Sequence, residues 1–196
     1  MPTVGEVIAN MSMSLDGFVE DASGSALPLF GWIDKLMQPG GPQGAAELAS
    51  AELFREATAS VGAVVCGRRL FDLTKGWGGR HPTGAPVVVV THEPPADWPH
   101  EGSFTFVTDG VAAAIEQAQR IAGERTVAVA SPDITRQCLD LGLLVGIAVD
   151  LVPVLLGAGK PFFAGLEQVP VRLGTPTVVQ GAGVTHLRYR LEQAEP

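Results

Sequence analysis

The sequence has few cations, and this shortage excludes several classes of protein. Its 13 Lys and Arg residues face 21 Asp and Glu residues, which gives a formal net charge of −8 at pH 7. This excess of negative charge argues against binding to nucleic acid or to an anionic membrane surface. Long hydrophobic runs are also missing, since the stretch from Leu151 to Leu156 is interrupted by Pro153 and is far too short to span a bilayer.

Cysteine is equally scarce. Cys66 and Cys138 both have apolar neighbours, so we expect two small core residues kept reduced in a cytoplasm. No His/Cys spacing typical of a zinc site occurs, and no metal is predicted. The N-terminus has neither the basic region nor the apolar region of a signal peptide, which adds to the expectation of a cytoplasmic protein.

What is present is an alternation of strand and helix patterns along the 196 residues, 46% of which are hydrophobic. Apolar runs rich in β-branched residues predict strands at 4–13, 61–66, 86–90, 103–107, 126–130 and 144–156. Helical patterns cover 29–37, 45–60, 111–122 and 131–141, and a hairpin closes the chain at 175–191. The fold class is therefore α/β: a single domain, 1–196, with a mixed, mostly parallel sheet, helices on both faces and a C-terminal antiparallel hairpin.

The stretch VGAVVCGRRLFD, residues 61–72, is the strongest local signal. A buried strand ends at Gly67, which lets a ligand or another backbone come close. A helix begins next, and its free N–H groups favour an anion. Arg68 and Arg69 add two permanent charges suited to a phosphate. The alternative is an ordinary surface Arg-Arg pair after a strand.

Three other segments carry candidate polar residues. Asp16 and Gly17 follow the first strand, where a ligand crevice often lies, although a plain Asp-Gly turn is an equal alternative. Ser131 and Pro132 have the pattern of a helix start, with Ser at the N-cap. The irregular loop 75–85 contains Trp77, a candidate substrate contact.

Taken together, the motifs resemble the dihydrofolate-reductase-like superfamily, and specifically the riboflavin-biosynthesis reductase (RibD C-terminal domain) family. The matching pieces are MSLDGFV (13–19), GRRLFD (67–72), VVVVTHEPP (87–95), FTFVTDG (104–110), TRQCLDLGL (135–143), PVLLGAGKPFF (153–163) and GVTHLRYR (183–190). They cover nearly the whole chain in the family's order.

The resemblance implies a cytoplasmic, NADPH-dependent reductase that transfers a hydride to a small heterocyclic or ribosylamino-pyrimidine-like substrate, and a homodimer. NADPH would lie across the carboxyl ends of the strands, with Arg68 and Arg69 near its 2′-phosphate and pyrophosphate. Asp16 would lie beside nicotinamide and substrate as the candidate catalytic residue. The other residues that the resemblance implies at the cofactor are Ser14, Gly17, Gly67, Thr91, His92, Ala130 and Ser131.

The sequence departs from the family at two places. Where relatives carry Gly-Gly-Ala, this chain has Ala130-Ser131-Pro132, which adds Cβ atoms and removes one N–H donor at the pyrophosphate turn. Where relatives have Asp-Glu, it has Val145-Gly146. Two alternatives therefore stay open: a non-catalytic ligand-binding or interaction protein of the same fold, and a true dihydrofolate reductase with Asp34 as its acid.

Overall fold

The computed structural model describes residues 4–98 and 102–192, and its elements alternate between strand and helix. The described strands are β1 (Val7–Ser14), β2 (Phe18–Asp21), β3 (Val61–Gly67), β4 (Val87–Val90), β5 (Phe104–Val107), β6 (Thr126–Val129), β7 (Gly146–Val152), β8 (Gly159–Pro161), β9 (Thr177–Gly181) and β10 (Val184–Arg190). The described α-helices are α1 (Gly31–Leu36), α2 (Ala45–Ser60), α3 (Arg68–Leu73), α4 (Val111–Ala122) and α5 (Pro132–Asp140). Short 3-10 helices lie at Leu27–Leu29 and Lys75–Gly79.

Eight of these strands form one sheet in the order β5-β4-β3-β6-β1-β7-β10-β9. The pairs from β5 to β7 are all parallel, and β10 pairs antiparallel with both β7 and β9. The predicted fold class is thus confirmed. The carboxyl ends of the parallel strands β1, β3, β4 and β6 all reach one edge of this sheet, which we call the carboxyl edge.

Alternate residues of β3 point into two different cores, as expected for a strand covered on both sides. Ala63 and Val65 pack in the cluster that contains Ile115 of α4, whereas Val64 and Cys66 pack in the cluster that contains Phe71 of α3. Cys66 and Cys138 are both buried and free, and burial raises the pKa of each thiol to about 12. The two cysteines are core residues, as predicted.

Some element predictions were wrong. The strand predicted over 144–156 is only Gly146–Val152, because the chain bends at Pro153. Residues 18–21 and 159–161, which the sequence did not predict as strands, pair as the two-stranded ribbon β2-β8. The sequence predicts that Thr108 and Asp109 cap α4, but the N-cap of this helix is Gly110, with φ of 91° and no side-chain cap hydrogen bond.

No helix within the described residues is long and apolar enough to cross a membrane.

Candidate functional site

The turns after β3 and β6 lie side by side at the carboxyl edge. The backbone N–H of Ala130 donates to the carbonyl of Val65 at 2.9 Å. A Cβ atom built on Gly67 would lie 3.5 Å from Ser131 Oγ, which is ordinary contact. The structure thus brings together Gly67, Ala130 and Ser131, three of the residues implied at the cofactor.

The Ser131 hydroxyl makes no hydrogen bond with the residues that the structure describes. Ser131 occupies the N-cap of α5 and Pro132 its first turn, as the sequence predicts, but the serine side chain makes no capping hydrogen bond. The predicted N-cap position of Ser131 is therefore confirmed. A hydroxyl at a helix start with no internal partner is available to a ligand.

Arg68 lies at the first turn of α3 and points towards the end of β4. Its Nε donates to Asp72 Oδ1 at 2.8 Å, and its Nη1 donates to the carbonyl of Glu93 at 2.6 Å. A cavity of about 360 Å³ opens beside it. The residues lining this cavity are Arg68, Val90, Thr91, His92, Glu93, Thr108 and Gly110. Three of the predicted cofactor residues, Arg68, Thr91 and His92, therefore share one cavity.

Arg69 points in a different direction. Its Nη2 donates to Glu20 Oε2 of β2 at 2.6 Å, and its side chain is 66% exposed. Arg69 does not line the cavity beside Arg68. The two arginines are therefore not one guanidinium clamp, and an anion that used Arg69 would have to compete with Glu20.

The β2-β8 ribbon is tied to the starts of two helices. Glu20 of β2 pairs with Arg69 of α3, and Lys160 of β8 pairs with Asp133 of α5 at 2.8 Å. Both ion pairs are partly exposed, so each contributes little to stability in water. They place the ribbon next to the two turns that carry Gly67 and Ser131.

Asp16 holds two loops together. Its carboxylate accepts hydrogen bonds from the Ser14 hydroxyl at 2.6 Å and from the backbone N–H groups of Leu156 and Gly157 at 3.1 and 2.7 Å. The Ser14 hydroxyl, followed by these backbone donors, lowers the pKa of Asp16 below its ordinary value. Asp16 is therefore an ionised hydrogen-bond acceptor at neutral pH, not a proton donor.

Ser14 and Gly17 complete this turn. The Ser14 side chain is fully buried and also accepts from the N–H of Phe18 at 2.9 Å, so its hydroxyl is occupied within the loop. Gly17 has φ of 90°, and no atom lies within 4 Å of where its Cβ would be. The glycine is needed for this backbone conformation, and it leaves open space beside Asp16.

Trp77, the candidate substrate contact, packs beside α3. It belongs to the segment between α3 and β4, has φ of 49°, and packs against the cluster that contains Phe71. Its ring meets His81 edge-on with 4.7 Å between centroids. Burial lowers the pKa of His81 to about 4, so this imidazole is neutral at physiological pH. These contacts place Trp77 beside α3, and its proposed contact with substrate stays a prediction.

A buried polar network was missed by sequence reasoning. Ser50 Oγ of α2 lies 2.9 Å from His186 Nε2, and His186 Nδ1 lies 2.8 Å from Asp150 Oδ1. Arg188 also donates to Asp150 Oδ1, at 2.9 Å. The sequence pattern put His186 with Arg188 on the polar side of the hairpin, yet His186 is only 1% exposed. The one available signal was Asp150, a carboxylate within an apolar strand.

The side chains of this network are connected as in a Ser-His-Asp catalytic triad, but the serine is not accessible to a substrate. Ser50 is only 2% exposed, and a Cβ on Gly181 would lie 2.1 Å from its Oγ. A nucleophilic serine must reach its substrate and a set of oxyanion donors. We therefore interpret the network as a structural link between α2 and the strands β7 and β10. Among the described residues, no group of His, Cys, Asp and Glu side chains could hold a metal ion.

Comparison with solved structures shows the dihydrofolate-reductase-like fold. A protein from Shewanella sp. PV-4 assigned to riboflavin biosynthesis matches with a TM-score of 0.72 and 19% identity, over 96% of this chain and 99% of that one. Dihydrofolate reductase from Enterococcus faecalis, in complex with NADP(H), matches with a TM-score of 0.60 and 13% identity over 98% of this chain and 100% of that one.

A further similar structure is the diaminohydroxyphosphoribosylaminopyrimidine deaminase/5-amino-6-(5-phosphoribosylamino)uracil reductase from Thermotoga maritima. It matches with a TM-score of 0.63 and 14% identity, over 96% of this chain and 57% of that one. No protein-family model matches the sequence, and no curated protein sequence matches it. The predicted resemblance is confirmed for the fold, and identities this low leave the substrate open.

Proposed function

We propose that the protein is an NADPH-dependent reductase that transfers a hydride to a small heterocyclic or ribosylamino-pyrimidine-like substrate. The observation that carries the proposal is the cavity at the ends of β4 and β5, where Arg68, Thr91 and His92 meet. A guanidinium with hydroxyl and imidazole neighbours suits a phosphate monoester such as the 2′-phosphate of NADPH. The similar reductase folds, one of them in complex with NADP(H), support the same assignment.

The described residues fit such a cofactor along the carboxyl edge. Arg68 would bind the 2′-phosphate, and the pyrophosphate would lie over the turns that carry Gly67 and Ser131. The Ser131 hydroxyl, which has no partner among the described residues, would replace the N–H donor that Pro132 lacks. When bound, NADPH supplies the hydride, and the protein orients it and excludes water.

Asp16 acts in this proposal by positioning. Its carboxylate holds the Leu156 and Gly157 backbone against the loop that follows β1. This contact fixes the open space at Gly17, where nicotinamide and substrate would meet. Holding the nicotinamide ring and the substrate ring in the correct relative position is a large part of what a hydride-transfer enzyme must do. Because Asp16 is ionised, the proton that accompanies the hydride comes from another donor or from water.

The experiment is a fluorescence titration of the protein with NADPH and with NADH. We expect NADPH to bind more tightly, and Arg68→Gln to weaken NADPH by about tenfold or more while NADH changes little. Arg120→Gln is the matched control, because Arg120 is also an exposed arginine in an i,i+4 ion pair, with Glu116. Equal affinity of the native protein for both cofactors would refute the proposed site.

The main alternative is a non-catalytic protein of the same fold. Two features favour it: the Ala130-Ser131-Pro132 turn and the pairing of Arg69 with Glu20. Both reduce the number of hydrogen-bond donors that are available to a pyrophosphate. Absence of NADPH binding in the same titration would favour it. Dihydrofolate reduction is less well supported, since Asp34 is exposed on α1. We further propose that the protein acts in the cytoplasm as a homodimer.

A further inference from the structure

A second cavity lies at the amino ends of β3 and β4, opposite the carboxyl edge and the proposed cofactor site. It measures about 580 Å³ and is bordered by Val61, the first residue of β3, and by Pro86, directly before β4. Its walls also include Phe54 of α2 and three arginines, Arg55, Arg80 and Arg125. Nothing in the proposed reductase reaction requires this cavity.

The three arginines come from three separate segments of the chain. Arg55 lies on α2, Arg80 precedes β4, and Arg125 lies in the turn between α4 and β6. None of them forms an ion pair with a carboxylate of the described residues. By contrast, ion pairs with described carboxylates are made by Arg68, Arg69, Arg120, Arg136, Lys160, Arg188 and Arg190.

The three arginines around this cavity contrast with the acidic character of the protein as a whole. With 21 acidic residues against 13 basic ones, most cations find an acidic neighbour, and the potential around the molecule is negative. Three guanidinium groups that border one cavity and make no ion pair with a described carboxylate repel each other. An anion bound between them would relieve this repulsion and receive hydrogen bonds from several directions.

Arg125 is held at the cavity by a hydrogen bond, and Arg80 lies beside a glycine of the cavity wall. Arg125 Nη1 donates to the carbonyl of Val61 at 3.3 Å, on the cavity wall. A Cβ on Gly84 would come within 3.1 Å of Arg80 Nη2, so the Arg80 guanidinium lies against this glycine. Gly84 has φ of 73°, which also favours glycine there. Side chains already held in place lose less entropy when a ligand binds.

We propose that this cavity binds a second small molecule through a phosphate or diphosphate group, held by Arg55, Arg80 and Arg125. A phosphate offers three charged oxygens, which matches a cavity lined by three arginines better than one carboxylate does. The apolar side chains of Phe54, Val61 and Pro86 form a surface for the uncharged part of the ligand. The site is independent of the proposed cofactor site and does not depend on reductase activity.

The test uses inorganic pyrophosphate as the probe and two-dimensional amide NMR of the whole chain as the readout. We expect saturable shifts at the amides of Thr83, Gly84 and Arg125, which persist in an Arg68→Gln/Arg69→Gln variant with a disabled cofactor site. Arg80→Gln should weaken binding at these amides by about tenfold, the value of one charge-assisted contact.

Arg172→Gln is the matched control, because Arg172 is exposed and makes no ion pair with a described carboxylate, yet lies outside the cavity. It should leave the affinity for pyrophosphate unchanged. The proposal is overturned if these amides do not shift up to about 10 mM pyrophosphate, a concentration that detects millimolar affinity. It is also overturned if the shifts occur only around Thr91 and His92, or if Arg172→Gln weakens binding as much as Arg80→Gln does.

Discussion

Ser50 Oγ lies 2.9 Å from His186 Nε2, a buried contact between two residues 136 positions apart in the sequence. It joins α2 to β10, and the other ring nitrogen of His186 joins the same network to Asp150 of β7. The imidazole also lies edge-on to Trp32, with 5.0 Å between centroids. One side chain thus connects two strands of the sheet with the two helices that cover them.

We expect His186→Ala to be strongly destabilising. The change leaves a cavity and removes hydrogen-bond partners from the buried Ser50 and Asp150, which together cost about 3 kcal/mol of unfolding free energy. Urea unfolding followed by circular dichroism measures the loss. His92→Ala is the control, because His92 is exposed and should change stability little. A loss below about 1 kcal/mol for His186→Ala would show that the network is not a structural link.

The contribution of Asp16 to stability should depend on pH. Its folded-state pKa is lowered, so the stabilisation is present above the unfolded pKa of about 3.9 and is lost as the pH falls through the lower folded value. We expect Asp16→Asn to be less stable than the native protein at pH 7, and the difference to shrink below about pH 4. Urea unfolding across this range provides the measurement.

The control for this series is Asp109→Asn, since Asp109 is exposed and makes no side-chain hydrogen bond within the described structure. Its unfolding free energy should follow that of the native protein at each pH. A deficit for Asp16→Asn that stays constant from pH 7 to about pH 3 would mean that the ionised carboxylate is not what joins the two loops.

Ser131→Ala should separate a cofactor role from a structural one. Because the Ser131 hydroxyl makes no capping hydrogen bond, its removal should leave the unfolding free energy almost unchanged. If the hydroxyl contacts the pyrophosphate, NADPH affinity should fall by about 1 kcal/mol, or roughly fivefold. An unchanged NADPH affinity in the variant would place the pyrophosphate elsewhere.

The variant Ala130→Gly/Ser131→Gly/Pro132→Ala makes the opposite change at this turn, because it opens the turn instead of removing a possible ligand contact. The restored N–H at position 132 takes over the role proposed for the lost Ser131 hydroxyl, and the removal of two Cβ atoms opens the turn, so NADPH binding should tighten. The more flexible unfolded chain should lower the unfolding free energy by about 1–2 kcal/mol. If affinity is undetectable in both the native protein and this variant, the non-catalytic alternative is favoured.

Strands β9 and β10 motivate the dimer prediction. Val178 of β9 pairs with Leu187 of β10, whose side chain belongs to the cluster packed by α4 and α5. Val178 is nevertheless 56% exposed, and β9 is the terminal strand of the eight-stranded sheet, with no strand paired on its other side. We expect a two-fold homodimer that covers this edge, since such dimers are the commonest oligomers. Light scattering at micromolar concentration should give twice the monomer mass, and Val178→Glu should lower it to the monomer mass. A monomeric native protein would end this idea.

The sequence by itself determined most of the helices and strands and their order, although it did not predict the short β2-β8 ribbon. The signals for these elements are local: the periodicity of helices and strands, β-branched runs such as 61–66, and glycines at the ends of elements. The mostly parallel sheet and its C-terminal hairpin could therefore be predicted.

The tertiary structure alone decided where individual side chains point. Arg69 turns to Glu20, 49 residues away, and His186 turns inward to Ser50, because distant segments supply their hydrogen-bond partners. The convergence of Arg55, Arg80 and Arg125 on one cavity has the same origin, since three separate segments meet there. A side chain's direction and burial depend on contacts between residues far apart in the chain, and no local pattern encodes those contacts.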